Sequence, residues 1–194
     1  MLLHKCLVIA IVVVLQYTNL SAAKPIILVI GGSLGSVKVN TAIRSILPKL
    51  LEKFQVIHIC GKGHIDESLI GTAGYVQYEY VDSPLKHLFA AANLIVSRAG
   101  ANSICEILAL RKPNVLIPLS AAASRGDQIL NANSFKKQGY STVLEEETVT
   151  DETLYDAITE TYENRHAFIE TMEKSRLNNA VDTIMQLINQ YAGN

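Results

Sequence analysis

The feature that most constrains the fold is a regular alternation, from Lys24 onward, of short apolar runs with segments of helical periodicity. The run from Pro25 to Ile30 is continuously apolar and rich in β-branched residues, which is typical of a strand buried on both faces. Apolar residues then recur at helical spacing between Asn40 and Lys53. Because parallel strands are joined by such helical crossovers, the alternation predicts an α/β fold.

Five further apolar runs continue this pattern, and we predict strands at Gln55–Cys60, Tyr75–Val81, Leu94–Ser97, Asn114–Ile117 and Tyr140–Leu144. Helices are predicted from a cap at Ser83-Pro84 to Ala92, and over residues 103–110, 127–138 and 150 to about 191. The expected architecture is a Rossmann-like, doubly wound parallel sheet of about six strands with helices on both faces. Since no linker or repeat divides residues 24–194, we predict one domain there.

Charge and cysteine content argue against several functional classes. The net charge is −1, so no basic excess exists to neutralise a nucleic-acid backbone, and we expect no nucleic-acid partner. The three cysteines (Cys6, Cys60 and Cys105) are odd in number and lack C-x-x-C spacing. They indicate neither a disulfide framework nor a zinc site, and they favour a reducing compartment.

Residues 1–23 form a separate apolar leader. Lys5 precedes a wholly apolar run from Leu7 to Leu15, and Ser21-Ala22-Ala23 follows, which is the layout of a secretory signal. The run is shorter than the ~20 residues that span a bilayer, although Leu2 to Ala23 could form a weak anchor. A third interpretation is a start inherited from a truncated gene. All three stay open.

A candidate anion site lies in the stretch from Val96 to Glu106. An apolar strand leads into a turn at Gly100 and then into a helix, which Asn102 or Ser103 could cap. Ser103 and Glu106 also have the spacing of a capping box. A helix N-terminus beside a glycine turn presents free backbone N–H groups, which suit a phosphate.

Two more loops fall at the same edge of the predicted sheet. The loop Gly31–Gly35 either brings its backbone and Ser33 close to a phosphate or is a plain glycine turn. It matches neither G-x-G-x-x-G nor a Walker A loop, and the second strand ends without an acid, which argues against dinucleotide and nucleoside-triphosphate enzymes. In the loop Ser124–Gln128, Asp127 is a candidate N-cap, and Gln128 can both donate to and accept from sugar hydroxyls.

Glu106 has two competing roles on the sequence alone. It either closes the capping box or accepts two hydrogen bonds from a ribose diol, leaving the helix amides for phosphates. Spacing by itself favours the cap.

Taken together, these motifs resemble a known family. The residues that carry the resemblance are Gly31–Gly35, Ser97–Ser103, Glu106, Ser124–Gln128 and Asn131-Ala132. From about Lys24 into the C-terminal helices, the sequence is similar to the C-terminal half of MurG-type transferases, which form glycosyltransferase family 28 and have the GT-B fold. That family transfers N-acetylglucosamine from UDP-GlcNAc to a lipid-linked muramyl-pentapeptide in peptidoglycan biosynthesis, the route to the cell wall. The resemblance therefore implies a hexosyltransferase with UDP-GlcNAc as donor and no metal or other cofactor.

The resemblance assigns substrate binding to residues in four loops: Gly32, Ser33, Gly35, Val81, Arg98, Gly100, Ala101, Asn102, Ser103, Glu106, Asp127 and Gln128. Among the roles it implies, Ser33 approaches the pyrophosphate and Val81 meets the uracil through its backbone. The amides of Ala101–Ser103 hold a phosphate, and Glu106 holds the ribose hydroxyls. Gln128, with the aspartate before it, faces the GlcNAc hydroxyls.

The match covers only one of the two Rossmann-like halves of such a transferase. The N-terminal half supplies the acceptor site, the membrane-facing surface and the candidate general base, and residues 1–23 stand in its place here. We therefore expect a truncated member without an assignable catalytic residue, since none of the histidines at positions 58, 64, 87 and 166 is a convincing base.

Two functional hypotheses follow. In the first, the chain is the donor-binding subunit of a split transferase, similar to the eukaryotic dolichol-pathway GlcNAc transferase, whose partner is membrane-anchored. In the second, it is a binding-only or inactive remnant. A weaker third hypothesis is a UDP-GlcNAc epimerase. We expect an acceptor-binding partner or self-association, and a location in the cytoplasm or at the cytoplasmic face of the membrane, with contact through residues 1–23 and secretion as an alternative.

Overall fold

The computed structural model of the chain describes residues 20–21, 23–32, 35–81, 85–121 and 123–175. Six strands form one parallel sheet in the order β3-β2-β1-β4-β5-β6. The strands are β1 (Ile26–Ile30), β2 (Gln55–Ile59), β3 (Tyr75–Tyr78), β4 (Leu94–Ser97), β5 (Asn114–Leu116) and β6 (Thr142–Val143). The predicted doubly wound parallel sheet is confirmed.

Helices connect and cover these strands. They are α1 (Val37–Ser45), α2 (Leu47–Lys53), α3 (Leu85–Ala91), α4 (Ala101–Ala109), α5 (Asp127–Lys137), α6 (Asp151–Glu163) and α7 (Arg165–Glu173). A short 3-10 turn at Glu67–Leu69, which the sequence patterns did not indicate, precedes β3.

The strand order reverses beside β1, which lies between β2 and β4 with Leu28 opposite both Ile57 and Ile95. The chain winds outward from β1 in one direction to β3, and from β4 in the other direction to β6. The helices that follow β1 and β4 therefore diverge, and a crevice opens at the carboxyl ends of these two strands.

Side chains alternate along β1 between two separate cores. Ile26 and Leu28 pack on the face covered by α3, α4, α5 and α7, whereas Ile27 and Val29 pack on the face covered by α1, α2 and α6. Both faces of the strand are thus buried, as its continuous apolar sequence predicts. The sheet is rigidly supported from both sides, which fixes the positions of the loops at its edges.

The helix predicted over residues 40–53 is two helices separated at Ile46. Pro48 has no N–H to continue the hydrogen-bond pattern of α1, and it occupies the first turn of α2, where a proline is tolerated. Predicted strands β3, β5 and β6 are shorter in the structure. The predicted cap at Ser83-Pro84, nearly all of the leader and the end of the C-terminal helix lie outside the described residues.

Within the described ranges, no helix combines the length and hydropathy needed to cross a bilayer.

Candidate functional site

An open cleft of about 530 Å³ lies at the crevice between the carboxyl ends of β1 and β4. Nine of the residues predicted to bind substrate line it: Gly32, Val81, Arg98, Gly100, Ala101, Asn102, Ser103, Glu106 and Gln128. A second cavity of about 440 Å³ adjoins it, shares Gly32, Arg98 and Gln128 with it, and includes Gly35. Asp127 lines neither cavity, and Ser33 lies outside the described residues.

The glycine turn after β1 is shaped both by packing and by open space. Gly35 has a φ of +77°, and a Cβ there would lie 2.1 Å from the carbonyl oxygen of Cys60. Gly32 has a φ of +92° and lines the open cleft, and no atom of the described residues lies within 4 Å of a Cβ built there. The turn ends at Ser36, whose Oγ accepts a hydrogen bond from the Val39 N–H and caps α1.

Helix α4 begins without any side-chain cap, contrary to the sequence prediction. Gly100 is the N-cap residue, and its carbonyl accepts the first intrahelical bond from Ile104. The predicted caps by Asn102 or Ser103 and the capping box of Ser103 with Glu106 are therefore wrong. The helix starts earlier than the pattern suggested, so Ser103 already lies within its first turn.

This start leaves the first turn of α4 open to the cleft. The N–H groups of Ala101, Asn102 and Ser103 precede the first intrahelical hydrogen bond, and all three residues line the cavity. These backbone N–H donors and the positive end of the helix dipole together favour the binding of an anion at the start of α4. Glu106 follows about one turn later, with an exposed side chain that has no hydrogen-bond partner among the described residues.

The far wall of the cleft comes from the segment after β3. Val81 is buried, whereas Tyr80 is 68% exposed and Glu79 accepts a hydrogen bond from the Gly63 N–H at 2.6 Å. Tyr80 and Leu85 line the cleft, as do Glu79 and Ile30, yet the sequence motifs did not single them out. For Ile30, Glu79 and Tyr80, position at or just after the carboxyl end of a parallel strand was the only signal that could have identified them.

Helix α5 contributes Gln128 to the cleft. The Gln128 Oε1 accepts a hydrogen bond from the Leu119 N–H at 3.1 Å, and its Nε2 has no partner among the described residues. Asn131 in the same helix donates to the carbonyl of Ala99, tying α5 to the turn before α4. The N-cap of α5 is Gly126, with a φ of +82°, rather than Asp127, which is exposed in the first turn.

Arg98 lines both cavities but directs its charge into the protein. Its Nη1 donates to the carbonyls of Ile117 and Pro118, at 3.0 and 3.2 Å. Its Nη2 donates to Ser36 Oγ at 2.6 Å and to the carboxylate of Glu146. Only 5% of the residue is exposed. Its placement among the ligand contacts stays a prediction.

Glu146 is the anion at the centre of this cluster. It also accepts hydrogen bonds from Lys38 Nζ at 3.3 Å and from the Ser120 N–H at 3.4 Å. Burial disfavours the ionised carboxylate, but hydrogen bonds and charge from Arg98, with a smaller contribution from Lys38, hold the pKa of Glu146 below its usual value. The Glu146 carboxylate is therefore ionised at neutral pH.

The histidine in β2 is part of the core. His58 is fully buried, with Nδ1 at 2.9 Å from the Tyr75 hydroxyl and Nε2 at 3.0 Å from Asn40 Oδ1. Burial and, to a lesser extent, the nearby Arg44 charge lower the pKa of His58 to about 3. No group of three or more potential metal ligands occurs in the part of the chain that the structure describes.

Comparison with known proteins gives consistent matches across this domain. Residues 26–188 match the glycosyltransferase family 28 C-terminal domain. The chain is 57% identical over 176 residues to the UDP-N-acetylglucosamine–N-acetylmuramyl-(pentapeptide) pyrophosphoryl-undecaprenol N-acetylglucosamine transferase of Lachnoclostridium phytofermentans, covering 91% of this chain and 50% of that protein. It is 59% identical over 174 residues to the protein of the same name from Lachnospira eligens, covering 90% and 49% of the two chains.

Solved structures have the same architecture. The crystal structure of Acinetobacter baumannii MurG superposes with a TM-score of 0.70 at 28% identity, covering 88% of this chain and 51% of that one. A glycotransferase of kitacinnamycin gives a TM-score of 0.68 at 22% identity, which supports the fold alone. The chain thus spans about half the length of the curated relatives it matches.

Proposed function

Because the chain belongs to the glycosyltransferase family 28 C-terminal domain family, we propose that its cleft binds the nucleotide sugar UDP-GlcNAc. The relatives described above are named as N-acetylglucosamine transferases that use this donor. The observation that carries the proposal is the pairing of the Glu106 carboxylate with three amides at the start of the same helix, none of which has a hydrogen-bond partner among the described residues. A ribose diol and a diphosphate need these two kinds of group side by side.

The remaining walls support an extended orientation of the donor. The Glu106 carboxylate would accept hydrogen bonds from both ribose hydroxyls, and the amides of Ala101–Ser103 would donate to the diphosphate. The uracil would then lie towards Val81, meeting its backbone. At the other end, Gln128 Nε2 is available to donate to sugar hydroxyls, and Gly32 leaves room for the phosphates.

Transfer of the sugar requires an acceptor, and we propose that the acceptor is bound by a separate acceptor-binding half. The relatives' name specifies a lipid-linked muramyl-pentapeptide acceptor, and this chain covers about half of their length. The base beside the acceptor hydroxyl would come from that half. Since the acceptor is anchored in lipid and the donor is a nucleotide sugar, the proposed place of action is the cytoplasmic face of the membrane.

The first experiment is calorimetric titration of the full chain with UDP-GlcNAc, with UDP and ADP as comparison ligands. We expect binding of both uridine ligands and at least tenfold weaker binding of ADP, a difference of about 1.4 kcal/mol or more. The absence of binding at roughly millimolar UDP-GlcNAc, or equal affinity for ADP, would contradict the proposal.

A second experiment separates a donor-binding subunit from a binding-only protein. The chain is mixed with the N-terminal half of the Lachnospira eligens relative, and transfer of radiolabelled GlcNAc to a lipid-linked muramyl-pentapeptide is measured. Transfer that needs both proteins would support the split transferase. Donor binding without transfer would favour the binding-only alternative.

A further inference from the structure

The Arg98–Glu146 ion pair joins loops that are far apart in the sequence. Arg98 follows β4, and its partners lie before α1 (Ser36), after β5 (Ile117 and Pro118) and after β6 (Glu146). Every one of these contacts lies at the carboxyl edge of the sheet, where the cleft and its adjoining cavity open. The pair is the point at which four loops of this edge meet.

The hydrogen bonds of Arg98 leave little capacity for a ligand. A guanidinium has two N–H groups on each terminal nitrogen and one on Nε. Nη1 has two carbonyl acceptors, and Nη2 has a hydroxyl and a carboxylate acceptor, so all four terminal N–H groups have a protein partner. Arg98 is therefore occupied in holding the loops, although the family resemblance places it among the substrate contacts.

The contacts continue from the pair to residues that face the cleft. The Ser120 N–H donates to Glu146, and the neighbouring Leu119 N–H donates to Gln128 Oε1. Ser36 accepts from Arg98 while it caps α1 at the end of the glycine turn. A shift of the pair would thus move both Gln128 and the turn that contains Gly32.

We propose that Arg98 and Glu146 are a positioning pair that sets the spacing of the glycine turn, the segment after β5 and Gln128 around the donor. The proposal rests on the donor site proposed above, and it states that the pair acts without touching the donor. Both side chains are almost completely buried, at 7% and 4% exposure, so neither can lose its partner without reorganising the loops around it.

The test compares Arg98→Met with Lys112→Met. Lys112 is a matched control because its partly buried ammonium donates to the carbonyls of Ala90 and Ala92 at the opposite, amino-terminal edge of the sheet. Both variants lose a cation that is at least partly buried and hydrogen-bonded to backbone carbonyls, and both should lose stability. At a temperature where both are fully folded, we expect UDP affinity to fall roughly tenfold in Arg98→Met and to stay within about twofold of wild type in Lys112→Met.

A double variant distinguishes positioning from general stability. Replacement of both partners by apolar residues, as in Arg98→Met with Glu146→Leu, removes the unpaired buried charge and should restore much of the stability. If the pair positions the loops, UDP affinity stays low in this variant. Recovery of affinity together with stability would overturn the proposal, as would an unchanged affinity in Arg98→Met.

Hydrogen exchange in the free chain tests the same idea without any ligand. In Arg98→Met, but not in Lys112→Met, the amides of Val39 and Ser120 should exchange faster, while the amides of β2 stay protected. Similar exchange patterns in the two variants would overturn the proposal. If wild type bound no UDP, the donor-site proposal would fail, and this exchange measurement would still decide the role of the pair.

Discussion

At the scale of single residues, two of the charged side chains that line the cleft have opposite surroundings. Glu106 is exposed and has no partner among the described residues, whereas Arg98 is buried and has four acceptors. A carboxylate without an internal partner keeps its hydrogen-bonding capacity for a ligand, whereas a guanidinium whose four terminal N–H groups are engaged has little left. Exposure and bonding therefore separate the residue that we expect to bind from the one that we expect to position.

The substitution Glu106→Ala tests the first of these roles. We expect UDP affinity to fall by about 1.5–3 kcal/mol, because a charge-assisted hydrogen bond to the ribose is lost. The free energy of unfolding should change by less than about 0.5 kcal/mol, since the side chain is exposed and caps nothing. Calorimetry measures the affinity and urea denaturation the stability.

Glu170→Ala is the control for this substitution, because Glu170 is an exposed glutamate in α7, outside both cavities. Glu170→Ala should leave the UDP affinity and the free energy of unfolding unchanged. An intact UDP affinity in Glu106→Ala would show that the carboxylate does not hold the ribose.

At the scale of elements, the turn between β1 and α1 contains two glycines with different reasons for being glycine. Gly35 lies against the carbonyl of Cys60, which also accepts a hydrogen bond from Asn40 Nδ2 at 2.8 Å. That contact packs the turn against the end of β2. Gly32 has the same left-handed backbone, but a Cβ there would meet no atom of the described part of the chain.

Alanine at each glycine should therefore have a different effect on stability. Gly32→Ala should cost about 1–2 kcal/mol of unfolding free energy, from the left-handed conformation alone. Gly35→Ala adds a backbone collision and should cost about 2–5 kcal/mol. Urea denaturation of the two variants side by side provides the measurement. Equal losses would mean that the collision relaxes freely, and that the turn is not packed as described.

At the scale of the whole molecule, a buried polar network links α1, β2 and β3. The Asn40 amide donates to Cys60, so its Oδ1 faces His58 and accepts from the Nε2–H. The His58 Nδ1 is then unprotonated and accepts from the Tyr75 hydroxyl. Burial raises the pKa of Tyr75 to about 12, which keeps this hydroxyl protonated as a donor.

The neutral state of His58 makes the stability of the whole domain sensitive to acid. The unfolded chain takes up a proton near pH 6.5, but the folded chain does so only near pH 3, so the unfolded state binds more protons between these values. The full contribution of neutral His58 to the free energy of unfolding is present above pH 6.5 and is lost as the pH falls towards 3. From this residue alone, the free energy of unfolding should be about 2 kcal/mol lower at pH 5 than at pH 7.5.

Urea denaturation at pH 5 and pH 7.5 checks this expectation in wild type and in His58→Gln. In the variant, the difference in unfolding free energy between the two pH values should be smaller than in wild type by about 2 kcal/mol. His166→Gln, at an exposed position of α7, is the control and should keep the wild-type pH dependence. A pH dependence in His58→Gln equal to that of wild type would contradict the neutral, buried histidine.

The sequence by itself determined the sheet, the order of strands and helices, and most of the residues around the cleft. Continuous apolar runs and helical periodicity are local signals of burial, and the carboxyl ends of parallel strands must meet at one edge. Position along the chain was therefore enough to predict that Gly32, Gly100, Glu106 and Gln128 lie around one cleft, as they do in the structure.

Only the tertiary structure decided what each of those side chains has left to offer a ligand. Capping spacing alone favoured a cap by Glu106, whereas the family resemblance assigned Glu106 to the ribose and placed Arg98 among the substrate contacts. The start of α4 at Ala101 excludes the capping box, and the ion pair with Glu146 is the basis on which we propose a positioning role for Arg98. Helix ends shift by a residue or two with local packing, and an ion pair across 48 positions leaves no local pattern, because it depends on which loops the folded sheet brings together.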